Sequence, residues 1–195
     1  MVNKVTLAKS TSGDGSENQQ NVVNEAKLNE VDAGSENLSL FSPEQLKTWV
    51  EQDSKTMNSV DHNTQEVDIR LRAQAKTLQP EQLSVLSQMA TDIKLPANSR
   101  VFSAYVLTLT EQPQAIENMK DLASKALPDF GPVLPHSEAE LRRTQELALR
   151  YMQVDEIAER AKTDANAKNN LILLSTSAES EEVRAYALRK LKSLK

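Results

Sequence analysis

Two histidines, many serines and no cysteine are the material from which this chain would have to build an active site. Asp61-His62, with Glu66 and Asp68 close behind, is the one place where a carboxylate and an imidazole fall together. Such a pair could serve as a general base or as part of a metal site. A polar loop between two helices explains the same residues without chemistry, and it is the favoured reading. His136 lies between Pro135 and Ser137, the place of a solvated loop residue. Neither histidine has a second one at i+3 or i+4, as a helical zinc site would require. No serine stands in a Gly-x-Ser-x-Gly elbow, and there is no phosphate loop or dinucleotide fingerprint. Asp14-Gly15-Ser16 and Asp32-Ala33-Gly34 lack the alternating ligands of a calcium loop. The sequence therefore assigns no catalytic, cofactor-binding or metal-binding residue, and the expectation is a protein that is not an enzyme.

The remaining reactive material is charge. Basic residues gather at Arg70/Arg72, at Arg142/Arg143/Arg150 and from Arg184 to Lys195, and these six arginines are the candidate partner-binding residues. Glu138, Glu140, Glu146, Asp155, Glu156 and Glu159 interleave with them, which favours solvated helix faces carrying i,i+4 pairs. A net charge of −5 argues against a dedicated nucleic-acid binder. Trp49 with Phe41 offers an anchor for a partner, but sealing the first hairpin's core is the commoner use of such residues.

The elements that must position these residues follow from composition. Three of the four glycines lie within the first 34 residues, and residues 1–40 carry three lysines against six acids with no aromatic. A segment that polar cannot bury enough apolar surface to offset its ordering entropy, so 1–40 reads as a disordered acidic tail with a short helix allowed at Val22–Val31. Val2–Ala8 is broken by polar residues and forms no leader h-region. That favours cytoplasm slightly and leaves open an exported protein whose leader has been removed. No apolar run is long enough to span a bilayer.

From residue 41 to 195 the alphabet becomes Ala, Leu, Glu, Gln, Lys and Arg, which is that of helices. Ser42-Pro43-Glu44-Gln45 is a capping box with proline at the first helical position, and Phe41 and Leu46 are placed to staple it. Pro80, Pro96 and Pro113 open further helices, and Ser137-x-x-Glu140 is a second capping box. Stripes at Leu141–Met152 and Val154–Ala161 read as consecutive helices, Asp164 caps another, and the acids at 179–182 precede a last one ending in basic residues. Val67–Ala73 alternates with period two and Val101–Thr110 is rich in β-branched residues, yet both sit among helical neighbours and read as helix.

These signals repeat. Pro43-Glu-Gln-Leu46 recurs as Pro80-Glu-Gln-Leu83 and, more loosely, as Pro113-Gln-Ala-Ile116, with Val154-Asp-Glu-Ile157 extending the series. Ala104-Tyr105-x-Leu107 recurs as Ala185-Tyr186-x-Leu188. Two helix types alternating at such spacing are the mark of stacked helical hairpins. Ser180-Glu-Glu-Val183-Arg184-Ala185-Tyr-Ala187-Leu188, and less closely Asn98-Ser-Arg100-x-x-Ser-Ala104, resemble the helices of HEAT-like repeats, in which an acidic or polar turn precedes Val-Arg-x-x-Ala-x-x-x-Leu. The resemblance covers about residues 66–195. It implies an all-α, right-handed solenoid of eight to nine helices in antiparallel hairpins, a curved scaffold without catalytic residues. The expected function is a non-catalytic adaptor that binds a protein or peptide along one face. Self-association through a terminal hairpin and, behind it, nucleic-acid binding through the arginines are the alternatives.

Overall fold

The computed structural model describes residues 37–57 and 64–194. The tail to residue 36 and the Asp61-His62 pair lie outside the described residues. Leu38–Leu40, counted with the tail above, form a turn of 3-10 helix in which Leu38 is fully buried, so these residues belong with the helices that follow.

Eight α-helices make up the described residues, and no strand occurs among them. They are α1 Pro43–Thr56, α2 Thr64–Ala75, α3 Pro80–Thr91, α4 Ala97–Leu109, α5 Pro113–Ser124, α6 Glu138–Arg160, α7 Ala165–Ser177 and α8 Glu181–Ser193. The two strand-like stretches are helical, in α2 and α4. In α4 the β-branched Val106 sits at the same inward register as Phe102, Leu107 and Leu109, all buried, so tertiary burial decides against strand propensity.

Each repeated signal does the same work. Ser42 Oγ accepts the Gln45 N–H at 3.2 Å and Gln45 Oε1 accepts the Ser42 N–H at 2.8 Å. Thirty-seven residues on, Gln82 Oε1 accepts the Gln79 N–H at 2.8 Å. Pro43, Pro80 and Pro113 each begin a helix, where the missing N–H costs nothing. The fourth member of the series does not. Val154 lies inside α6, a single helix of 23 residues where two were expected. Nothing between Met152 and Val154 breaks a helix, and the buried stripe runs on unbroken through Glu146, Leu149, Arg150, Gln153, Val154, Ile157 and Ala158. The helix expected at Asp164 is present, with its Oδ1 accepting the Asn166 N–H at 2.7 Å. At Ser137 only half the capping box forms. Its Oγ takes the Glu140 N–H at 3.1 Å, but the Glu140 carboxylate takes the N–H of His136, whose φ of 62° swings that group towards it.

The helices pack as two sets. α3, α5 and α7 lie side by side, with α1 against α3; α2, α4, α6 and α8 likewise pack in succession. The pairs α3/α4, α5/α6 and α7/α8 join the sets. Polar ties fix the register within the odd-numbered set. Gln82 in the first turn of α3 donates to the carbonyls of Leu38 and Phe41 ahead of α1, and Gln112 ahead of α5 donates to that of Leu78 ahead of α3. Asn170 of α7 donates to Glu117 of α5 at 2.8 Å. Between the sets runs a core that includes the fully buried Leu46, Leu83, Leu86, Leu107, Met119 and Leu171, each worth about 1.5–3 kcal/mol of burial. Trp49 belongs to it, 5 % exposed and 5.2 Å from the Phe102 ring, so it seals the core and presents no anchor.

Candidate binding face

The six candidate arginines are not one ridge, and every one of them is engaged inside the molecule. Arg70 reaches from α2 to Asp53 of α1 at 2.8 Å, and Arg72 pairs with Asp68 one turn earlier. Arg142 pairs with Glu138 and Arg143 with Glu182 of α8. Arg184 donates to the carbonyls of Ala178 and Glu179 at the end of α7. Arg150 is a core residue. Its side chain is 7 % exposed, and it donates to Glu146 at 2.7 Å, to the Lys125 carbonyl at 3.2 Å and to the Ala126 carbonyl at 2.9 Å.

Arg150 shares Glu146 with Arg100, a residue that charge clustering overlooked. Arg100 Nη1 pairs with Glu146 Oε1, and Arg100 Nε donates to the Ala90 carbonyl at 3.1 Å. Arg100, Arg150 and Arg184 thus perform one task three times. Each projects from an even-numbered helix and satisfies carbonyls that the end of the preceding odd-numbered helix leaves without partners. Burial disfavours the charge on Glu146, but the hydrogen bonds from Arg100 and Arg150 more than offset it and hold the carboxyl below its ordinary range.

The side chains left facing solvent on the even-numbered helices are of another kind. All three tyrosines of the chain, Tyr105, Tyr151 and Tyr186, lie half-buried there, one each on α4, α6 and α8. Two make the same bond. Tyr105 OH donates to Asp68 of α2 at 2.7 Å, and Tyr186 OH donates to Asp155 of α6 at 2.8 Å. A cation completes each pair, Arg72 on Asp68 at 2.8 Å and Lys190 on Asp155 at 2.6 Å. Arg72, and then Tyr105, hold the Asp68 carboxyl below its usual value. Burial, and then Asp68, push the Tyr105 phenol up to about 12. Burial and Asp155 raise the Tyr186 phenol in the same direction. Neither phenol ionises near neutrality, so both act as hydrogen-bonding aromatics.

Tyr151 stacks on Tyr186 with ring centres 4.2 Å apart, and Arg189 and Lys190 lie 5.2 and 5.3 Å from the Tyr186 ring centre. Between α4 and α6 the surface opens into a groove of about 530 Å³ lined by Tyr105, Thr108, Ala148, Tyr151, Met152 and Asp155. The sequence signal for this face was the Ala-Tyr-x-Leu recurrence, which places Tyr105 and Tyr186 at equivalent positions.

Among the described residues no group of three or more His, Cys, Asp or Glu is placed to hold a metal ion, and no helix is long and apolar enough to cross a membrane. Comparison with family models, curated proteins and solved structures finds no match to this chain.

Proposed function

We propose that this chain is a HEAT-like α-solenoid that binds a protein or peptide segment along its even-numbered helices, without catalysis. The observation that carries this reading is the run of Tyr105, Tyr151 and Tyr186 beside the α4–α6 groove. Tyr105 and Tyr186 are held through their hydroxyls by carboxylates and Tyr151 by its stack on Tyr186, so all three are ordered before a partner arrives and docking on them sacrifices little rotamer freedom. The succession α2, α4, α6, α8 supports a solenoid because each of these helices packs on the next while its own hairpin partner joins the other set. Selection of peptides from a random display library tests the proposal. The intact protein should enrich a consensus whose synthetic peptide binds, and Tyr151→Ala should weaken that binding at least about tenfold, as loss of an aromatic hot spot does. Failure to enrich any sequence, or equal affinity in the variant, would overturn it.

A second reading, self-association, has its support in the α7–α8 hairpin, where Ile172, Leu173 and Leu188 are each at least 41 % exposed. Light scattering over a range of concentrations decides it, since a constant monomer mass removes the reading.

A further inference from the structure

The long connection between α5 and α6 closes over the turn between α3 and α4 and leaves a cavity of about 350 Å³, within the range of small-ligand pockets. Its lining mixes apolar and charged side chains, the former including Ile93 from the α3–α4 turn and Phe130 from the long connection. Its floor is formed by Arg100 and Glu146. Two guanidinium groups share the single carboxylate of Glu146, so the buried triad holds one positive charge that nothing within it neutralises.

Arg150 spends its donors on Glu146 and on carbonyls outside the cavity wall. Arg100, nine-tenths buried, uses Nε on Ala90 and Nη1 on Glu146, and its Nη2 has no partner among the described residues. At the mouth stand Arg142, which is exposed and pairs with Glu138, and Asp129, whose carboxylate takes the Gly131 N–H at 2.8 Å.

We propose that this cavity binds a small organic carboxylate, its head on Arg100 and Arg142 and its compact apolar body between Ile93 and Phe130. The two oxygens of a carboxylate fit the planar fork of a guanidinium. A phosphate monoester would bring close to two negative charges beside the carboxylates of Asp129 and Glu146. An inorganic anion would leave Ile93 and Phe130 without a contact, and an amine would meet the arginines.

Phenylacetate serves as the probe, with 2-phenylethanol and 2-phenylethylamine as neutral and cationic versions of nearly the same body. In amide chemical-shift titrations of the full chain, phenylacetate should give saturable shifts at residues 93–97, 128–131 and 142–146, and the other two should not. Arg142→Gln should weaken binding about tenfold, the effect of one charge-assisted hydrogen bond. Ala97→Phe, an exposed lining position in the first turn of α4, should block the mouth and abolish binding while leaving the melting temperature unchanged. Arg100 is left intact because its loss would disturb Glu146 and the fold together. Absence of saturable shifts with phenylacetate, equal shifts with the alcohol, or unaltered binding in Ala97→Phe would each overturn the proposal. Because Tyr151 lies outside this cavity, phenylacetate binding should be unchanged in Tyr151→Ala, which keeps this test separate from that of the peptide face.

Discussion

Helices α4, α6 and α8 each carry a tyrosine close in sequence to an arginine that clamps a neighbouring helix, and the two kinds of residue end in opposite environments. Arg100, Arg150 and Arg184 turn towards the odd-numbered helices and tie down the carbonyls at their ends. Tyr105, Tyr151 and Tyr186 stay on the outer side, where two of them rest on carboxylates and the third stacks on its neighbour. These three arginines hold the fold, and the three tyrosines lie at the surface. A guanidinium has donors enough to satisfy several carbonyls at once, which makes it a better clamp inside than a hook outside. A tyrosine buries a large ring yet keeps a polar tip in water, which suits a half-exposed site.

The largest loss of stability is expected at Glu146. Glu146→Gln leaves Arg100 and Arg150 buried with no counter-charge, and urea unfolding should register a loss of about 3–5 kcal/mol. Next comes Arg184→Ala, which strands carbonyls at a less buried helix end and should cost about 1–2 kcal/mol in the same assay. The smallest expected effect on stability belongs to the tyrosines. Tyr105→Phe and Tyr186→Phe should each change it by no more than about 1 kcal/mol, since each loses one half-exposed hydrogen bond. A larger loss for either phenylalanine variant than for Glu146→Gln would reverse the assignment of roles.

Acidity sharpens the same contrast. The folded Glu146 carboxyl titrates below its unfolded value, so its stabilisation is fully present above the unfolded value and is lost as pH falls through the folded one. Asp68 and Glu182 are lowered too, Asp68 chiefly by Arg72 and Glu182 chiefly by the Ser180 hydroxyl, and they add losses of the same sign. The melting temperature should therefore drop as pH is lowered through the carboxylate range. In Glu146→Gln that acid-induced drop should be shallower, because one of the linked protons has gone. An equally steep drop in the variant would mean that Glu146 is not held as described.

Much of this was legible in the chain itself where local chemistry suffices. Proline at the first helical position, with glutamine two residues later, announces α1 and α3 because both act within a single turn. The roles of the arginines were harder to read, since charge clustering says nothing of which way a side chain points. Helical register carries only part of that information. Arg142 and Arg150 stand one turn before and one turn after Glu146 and so share its face of α6, but the burial of that face begins at Glu146, which leaves Arg142 exposed and Arg150 buried. Likewise no local signal separates helices at Met152–Val154, and the continuous stripe argues for the one long helix that forms.

The assignment of arginines to the fold and tyrosines to recognition is tested most directly by mapping a selected peptide on the full chain by amide chemical shifts. Shifts should concentrate around Tyr105, Tyr151, Met152 and Tyr186, with the odd-numbered helices silent. Shifts confined to the outer sides of α1, α3, α5 and α7 would contradict it.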